Sequence, residues 1–116
     1  MRHQKSTFKL GRDYEQKKAL IRGLMIALIE HRKIKTTLPK AKAVQPEIES
    51  LIALARQDTP HARRMALSKL ASKKAMRQLF AFAPEQYADR TSGFTRITKL
   101  GPRLGDAAEM ALIELL

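Results

Sequence analysis

The stretch GFTRITKLGPRLGDAAEMALIELL, Gly93–Leu116, decides the fold, because its two halves point to different secondary structures. Phe94–Leu100 has the composition of a strand. Ala107–Leu116, AAEMALIELL, is made of Ala, Glu, Met and Leu apart from Ile113, and those four favour a helix. Between the halves, Gly101-Pro102 and Gly105-Asp106 frame a turn of hairpin type. Far upstream, Arg32–Leu38 (RKIKTTL) puts Ile34, Thr36 and Leu38 on one side of an extended segment and Lys33, Lys35 and Thr37 on the other. That strand needs a partner, and a lone two-stranded ribbon is marginal in water. We therefore read Phe94–Leu116 as a β-hairpin that joins RKIKTTL in one small sheet.

The rest of the chain reads as helices. Asp13 with Gln16 three residues on resembles a capping box, and Tyr14, Ile21, Leu24, Met25 and Leu28 recur at helical spacing, which predicts a helix over Tyr14–His31. Ile26 and Ile29 lie off that stripe, so the later half is apolar nearly all round and is the expected centre of the core. Lys40–Arg56 carries a second stripe, Val44, Ile48, Leu51, Ile52 and Ala55. Pro46 either kinks that helix or opens a new one, and spacing leaves both open. Thr59 and Pro60 form a cap and first-turn proline for a short helix, HARRMALSKLA. Ser72 caps a further helix to about Ala83, with Met76, Leu79, Phe80 and Ala83 buried, and Ala83-Pro84 is read as its stop before a loop to Gly93. The expected class is α+β: about four helices packed on a small sheet formed by a mid-chain strand and a C-terminal hairpin. Residues 1–12 form a basic arm, and 13–116 form a single domain.

The chain has 116 residues, 23 Lys and Arg against 11 Asp and Glu, and a net charge of +12. That length suits one domain and argues against a two-domain enzyme. There is no cysteine, which excludes disulfides, thiolate metal sites and cysteine nucleophiles. The longest apolar run, Leu24–Ile29, is far short of the roughly 20 residues of a spanning helix, and no export signal is recognisable. We expect a soluble, cytoplasmic protein. Twelve of the cations and only Asp13, Glu15 and Glu30 fall in residues 1–42, a surplus of nine. A surface tuned for solubility mixes signs along the chain. A concentrated surplus instead points to an anionic partner, nucleic acid first.

Within that surplus, Arg2, Lys5, Lys9 and Arg12 sit in an opening segment with little to bury, where His3 and Phe8 are available to bond or stack on an unpaired strand. Lys17, Lys18 and Arg22 occupy the early turns of the first helix, where cations oppose the helix dipole; such a helix is better suited to docking on phosphates than to standing alone. Lys33 and Lys35, with the hydroxyl of Thr37, give the strand a basic outer face, and Arg32 and the hydroxyl of Thr36 adjoin it.

Other chemistry finds little support. His3, His31 and His61 lie on different elements without carboxylates at ligand spacing. Asp106 and Glu109 have no evident nucleophile or proton donor. The Gly101–Gly105 spacing lacks the Lys and Ser/Thr of a phosphate-cradling loop. No enzyme, cofactor or metal is expected. Zinc fingers, basic zippers and aromatic-rich RNA-recognition folds are excluded by the absent Cys, heptads and aromatics. Six aromatics without Trp leave backbone-dominated, shape-based binding, as in ribonucleoprotein scaffolds and architectural proteins.

Four motifs narrow this further: Met1-Arg2-His3, KTTLPKAK over Lys35–Lys42, DTPHARR ending at Arg64, and GFTRITKLGPRLGDAAEMALIEL from Gly93. In order and over essentially the whole chain, they resemble the bacterial large-subunit ribosomal protein L17 family. The resemblance implies an α+β fold with helices backing one sheet, and binding to large-subunit ribosomal RNA near the outer rim of the polypeptide exit tunnel. It also implies neighbouring ribosomal proteins as partners, with no membrane, small-molecule substrate or catalytic role. It favours the hairpin over a C-terminal helix, and one helix through Pro46. Carried over onto matching positions, its RNA contacts fall on Arg2, His3, Lys5 and Lys9, on Lys35, Thr36, Thr37, Lys40 and Lys42, on His61, Arg63 and Arg64, and on Arg96 and Arg103. Arg12, Lys17, Lys18, Arg22, Arg32, Lys33 and Lys99 extend that set as neighbouring basic positions. The chain departs from the family pattern at Phe8, Tyr14-Glu15-Gln16, Ser92 and Leu104, which removes positive charge from presumed RNA-facing positions. The alternative reading is a free-standing architectural nucleic-acid-binding protein.

Overall fold

The computed structural model describes residues 13–116. In chain order the elements are α1 (Tyr14–His31), β1 (Lys33–Thr37), α2 (Leu38–Ala55), α3 (Pro60–Leu70), α4 (Lys73–Gln86), β2 (Thr95–Pro102) and β3 (Glu109–Leu115). The α+β expectation therefore holds, with four helices on a three-stranded antiparallel sheet of order β1-β3-β2.

The helix-rich composition of Ala107–Leu116 loses to pairing on both sides. β3 takes the middle of the sheet, with Ile113 opposite both Ile34 and Ile97. Alternation then decides the faces: Ala111, Ile113 and Leu115 turn onto the helices and are buried, whereas Met110, Leu112 and Glu114 are not. The turn of the hairpin needs left-handed backbone at Gly105 (φ 99°) and also at Ala107 (φ 57°). The Arg103 N–H donates to the Ala108 carbonyl at 2.8 Å to close it. A register shift between Lys99 and Gly101 lets β2 continue to Pro102, two residues past the strand composition.

Caps set the helix starts. Asp13, Thr59 and Ser72 each accept a hydrogen bond from the backbone N–H three residues on, at 2.8, 3.0 and 3.1 Å. α2 begins earlier than its stripe suggests. Thr37 is at once the last residue of β1 and the N-cap of α2, so Leu38 is helical and not part of the strand. Pro46 lies inside this single helix on its exposed side, where water can serve the carbonyl that lacks an N–H partner.

Three expectations need correction. Tyr14 is not on the buried stripe of α1 but 68% exposed, because α1 begins beyond the edge of the packed core. The centre of the core is α2, which packs against each of the other six elements and buries Ala41, Val44, Ile48, Leu51, Ile52 and Ala55; the later half of α1 supplies Met25, Leu28 and Ile29 to one side of it. Pro84 does not stop α4, which runs through it to Gln86. That extra turn is held by the buried ring of Tyr87, whose neighbours are Phe94 at 5.2 Å and Phe82 at 6.4 Å, both edge-on.

Candidate nucleic-acid interface

Among the described residues, helices pack on one face of the sheet only. Its other face follows from the register: Lys33, Glu114 and Arg96 form one row, and Lys35, Leu112 and Thr98 the next. Thr37 stands beside Met110 in the third row. Lys33, Lys35, Arg96 and Thr98 are exposed. Glu114 accepts from the Arg96 Nε at 3.4 Å, leaving the two lysines without an ion-pair partner among the described residues. Thr36, by alternation, points to the helix side, so of the two threonines Thr37 shares the basic face.

A second basic group lies at the other end of α1. Lys17, Lys18 and Arg22, from its early turns, share a cavity of about 490 Å³ with Lys69 and Ser68 of α3 and Glu47 of α2. Tyr14, Ile21 and Met25 complete its lining. The Lys18 ammonium stands over the Tyr14 ring, 5.2 Å from its centroid, and Arg22 Nε donates to the Lys69 carbonyl at 3.3 Å. Eighteen helical residues separate the ends of α1 by roughly 27 Å. The basic positions of α1 and of β1 therefore form two patches rather than one.

Several predicted site residues are engaged within the protein. Arg63 donates to both oxygens of Asp58, at 2.6 and 2.8 Å, with its guanidinium near the Phe80 ring. That hydrogen-bonded pair holds the Asp58 carboxyl below its ordinary range and pushes Arg63 up. Arg103 donates likewise to Asp106 at 3.0 and 2.7 Å inside the hairpin turn. Arg32 stacks on Phe82 at 3.6 Å and donates to Gln86. By contrast, Lys42, His61, Arg64 and Lys99 are exposed and Lys40 is half-buried, with no ion pair among the described residues. Arg2, His3, Lys5, Phe8, Lys9 and Arg12, the whole of the predicted arm, lie outside the described residues.

Sequence reading missed Tyr14, Glu47, Ser68 and Lys69 as neighbours of Lys17, Lys18 and Arg22. They come from three helices, and no spacing along the chain announces their meeting. Among the described residues no group of three or more His, Asp or Glu could hold a metal ion, and no helix is long and apolar enough to cross a membrane.

Comparison with known proteins bears on the whole chain. A sequence model of the family described as "Ribosomal protein L17" matches residues 20–116. A protein of Chloroflexus aurantiacus named "Large ribosomal subunit protein bL17" is 72% identical over 116 residues, the full length of both chains. Proteins of the same name from Methylacidiphilum infernorum and Dictyoglomus thermophilum are 55% and 46% identical. Those matches cover 98% of this chain and 87% of the first, and 99% of this chain and 99% of the second.

Proposed function

Because the chain belongs to the ribosomal protein L17 family, we propose that it is a structural constituent of the bacterial large ribosomal subunit that binds large-subunit ribosomal RNA through phosphate and shape contacts, near the rim of the polypeptide exit tunnel. The observation that carries this reading is the end-to-end match, at 72% identity, to a protein named for that subunit. The charge agrees with it. A surplus of +12 in a folded chain repels itself until an anion neutralises it, and polyphosphate backbone does so without demanding base-specific chemistry.

Phosphate contacts fall first to the cations that make no ion pair or side-chain hydrogen bond among the described residues, Lys17, Lys18, Lys33, Lys35, Lys40, Lys42, Arg64 and Lys99, with Thr37 and His61 as hydrogen-bonding neighbours. Arg22, Arg32, Arg63, Arg96 and Arg103 reach phosphate by sharing a side chain already held within the protein. Residues 1–12, with Arg2, His3, Lys5, Lys9 and Arg12, act as an RNA-binding arm ahead of the domain formed by 13–116. The partners are large-subunit ribosomal RNA and adjoining ribosomal proteins, and the location is the ribosome in the cytoplasm. The role calls for no cofactor and no turnover.

Sucrose-gradient sedimentation of cell lysate, before and after a high-salt wash, tests the assignment. Stoichiometric co-migration with the large subunit that survives the wash is the expected result. Recovery only in light fractions would overturn it in favour of a free-standing nucleic-acid-binding protein.

A further inference from the structure

We propose that the cavity between α1, α2 and α3 takes one unpaired guanine nucleotide of the bound RNA, with Glu47 reading the base and the surrounding cations holding its phosphates. This inference rests on the RNA-binding reading and names what one part of that surface recognises. The cavity, about 490 Å³, is within the range of about 300–1,000 Å³ typical of pockets that take small ligands. Its lining divides by chemistry. Ile21 and Met25 provide an apolar floor, Tyr14 an exposed aromatic ring, and Lys17, Lys18, Arg22 and Lys69 a cationic rim.

Each part suits a different portion of a nucleotide. Lys18 occupies one face of the Tyr14 ring, at 5.2 Å from the centroid, so the opposite face is the one on which a base can stack. Arg22, tethered through Nε to the Lys69 carbonyl at 3.3 Å, keeps its terminal amino groups for phosphate oxygens. Glu47 decides the base. In a site built for phosphate alone a carboxylate is a defect, since it repels the ligand, and Glu47 makes no ion pair with any of the four cations among the described residues. A carboxylate instead accepts hydrogen bonds from base N–H groups. Guanine alone offers two adjacent donors, N1–H and the N2 amino group, matched to two carboxylate oxygens. Adenine and cytosine set a ring-nitrogen lone pair beside their amino group, and uracil flanks one N–H with two carbonyls. Because base pairing hides that edge of guanine, the nucleotide must be unpaired.

The test measures binding of the full chain to fluorescein-labelled pentaribonucleotides that differ only at the centre, UUGUU, UUAUU, UUCUU and UUUUU, by anisotropy at 50 mM salt. UUGUU is expected to bind about five- to a hundredfold more tightly than the other three. Glu47→Gln should erase that preference, and Tyr14→Ala should weaken all four by a similar factor through lost stacking. Both side chains are exposed, so neither variant threatens the fold. Equal affinity for the four pentamers, or a guanine preference that survives in Glu47→Gln, would overturn the proposal. So would 5′-GMP binding as tightly as UUGUU, which would assign the cavity to a free mononucleotide. Large-subunit ribosomal RNA titrated in parallel separates the two levels: tight binding of that RNA with no pentamer preference removes only the guanine site, whereas no binding of that RNA removes the parent reading.

Discussion

Glu49 and Thr95 lock α2 to the start of β2. The Glu49 Oε2 accepts from the Thr95 hydroxyl at 2.6 Å and from its backbone N–H at 3.1 Å, while Oε1 accepts from the Phe94 N–H at 3.2 Å. The Gln45 side-chain amide donates to the same hydroxyl at 3.0 Å. Thr95 is the one buried polar residue among those described, and the carboxylate supplies what sheet pairing cannot at the first residue of an edge strand.

Glu49→Ala should therefore lower stability by about 2–3 kcal/mol, because it strands a buried hydroxyl and two backbone donors together. A melting temperature lower by about 10 °C is the expected reading for a chain of this size. Glu49→Gln, which keeps an acceptor but not the charge, should lose about half as much. Wild-type melting of Glu49→Ala would show that water replaces the carboxylate.

Ala71 ends α3 in left-handed backbone, φ 53°, with its N–H on the Leu67 carbonyl. That conformation costs a residue with a Cβ about 1–2 kcal/mol, against about 0.4–1 kcal/mol of extra chain entropy lost by glycine. Ala71→Gly should thus stabilise by about 0.5–1 kcal/mol, measured by chemical denaturation at unchanged slope. Arg32 has the same backbone at the end of α1, φ 69°, but its guanidinium lies on Phe82 at 3.6 Å, so Arg32→Gly should give no such gain.

How much of this was legible in the sequence depended on the range of the interaction. Asp13, Thr59 and Ser72 announced their helices because a cap acts over three residues. The alternation in Ile34 and Thr36 was readable for the same reason. Pro84 misled because the force that carries α4 through it is the packing of Tyr87 against Phe94 and Phe82, and Phe94 lies beyond the helix in the chain. Tyr14 misled because periodicity gives the face a residue occupies but not how far along the helix the core extends. At the site, the sequence supplied the cations; it could not show that Asp58 and Asp106 claim two of them or that Glu47 and Lys69 share a cavity with α1.

The Asp106 carboxyl is held far below the ordinary carboxylate range, first by the Arg103 side chain and then by the Ala108 N–H at 3.1 Å. A depressed folded-state pKa means that the carboxylate's contribution is complete above the usual value near 3.9 and is lost only as pH falls through the lower folded value. Carboxyl-carbon NMR should therefore find Asp106 still ionised at pH 3, when an unperturbed aspartate is mostly protonated. Arg103→Ala should return its midpoint most of the way to about 3.9. An unchanged midpoint in that variant would assign the shift to the turn backbone alone.

The same pair separates two kinds of arginine and lysine in RNA binding. A lysine that meets a phosphate releases about one counterion, so Lys35→Ala should lower the slope of log affinity against log salt by about one. Arg103 has its Nε and Nη2 groups on Asp106, at 3.0 and 2.7 Å, so its charge is already balanced by that carboxylate even though Nη1 can still donate to a phosphate. Arg103→Ala should leave the slope within a few tenths of wild type while weakening affinity, because the bared Asp106 repels the backbone. Removing Asp106 as well should then restore that affinity, since the double variant carries the net charge of the intact pair. A slope that falls by a full unit in Arg103→Ala would show instead that RNA opens the pair and takes the guanidinium for itself.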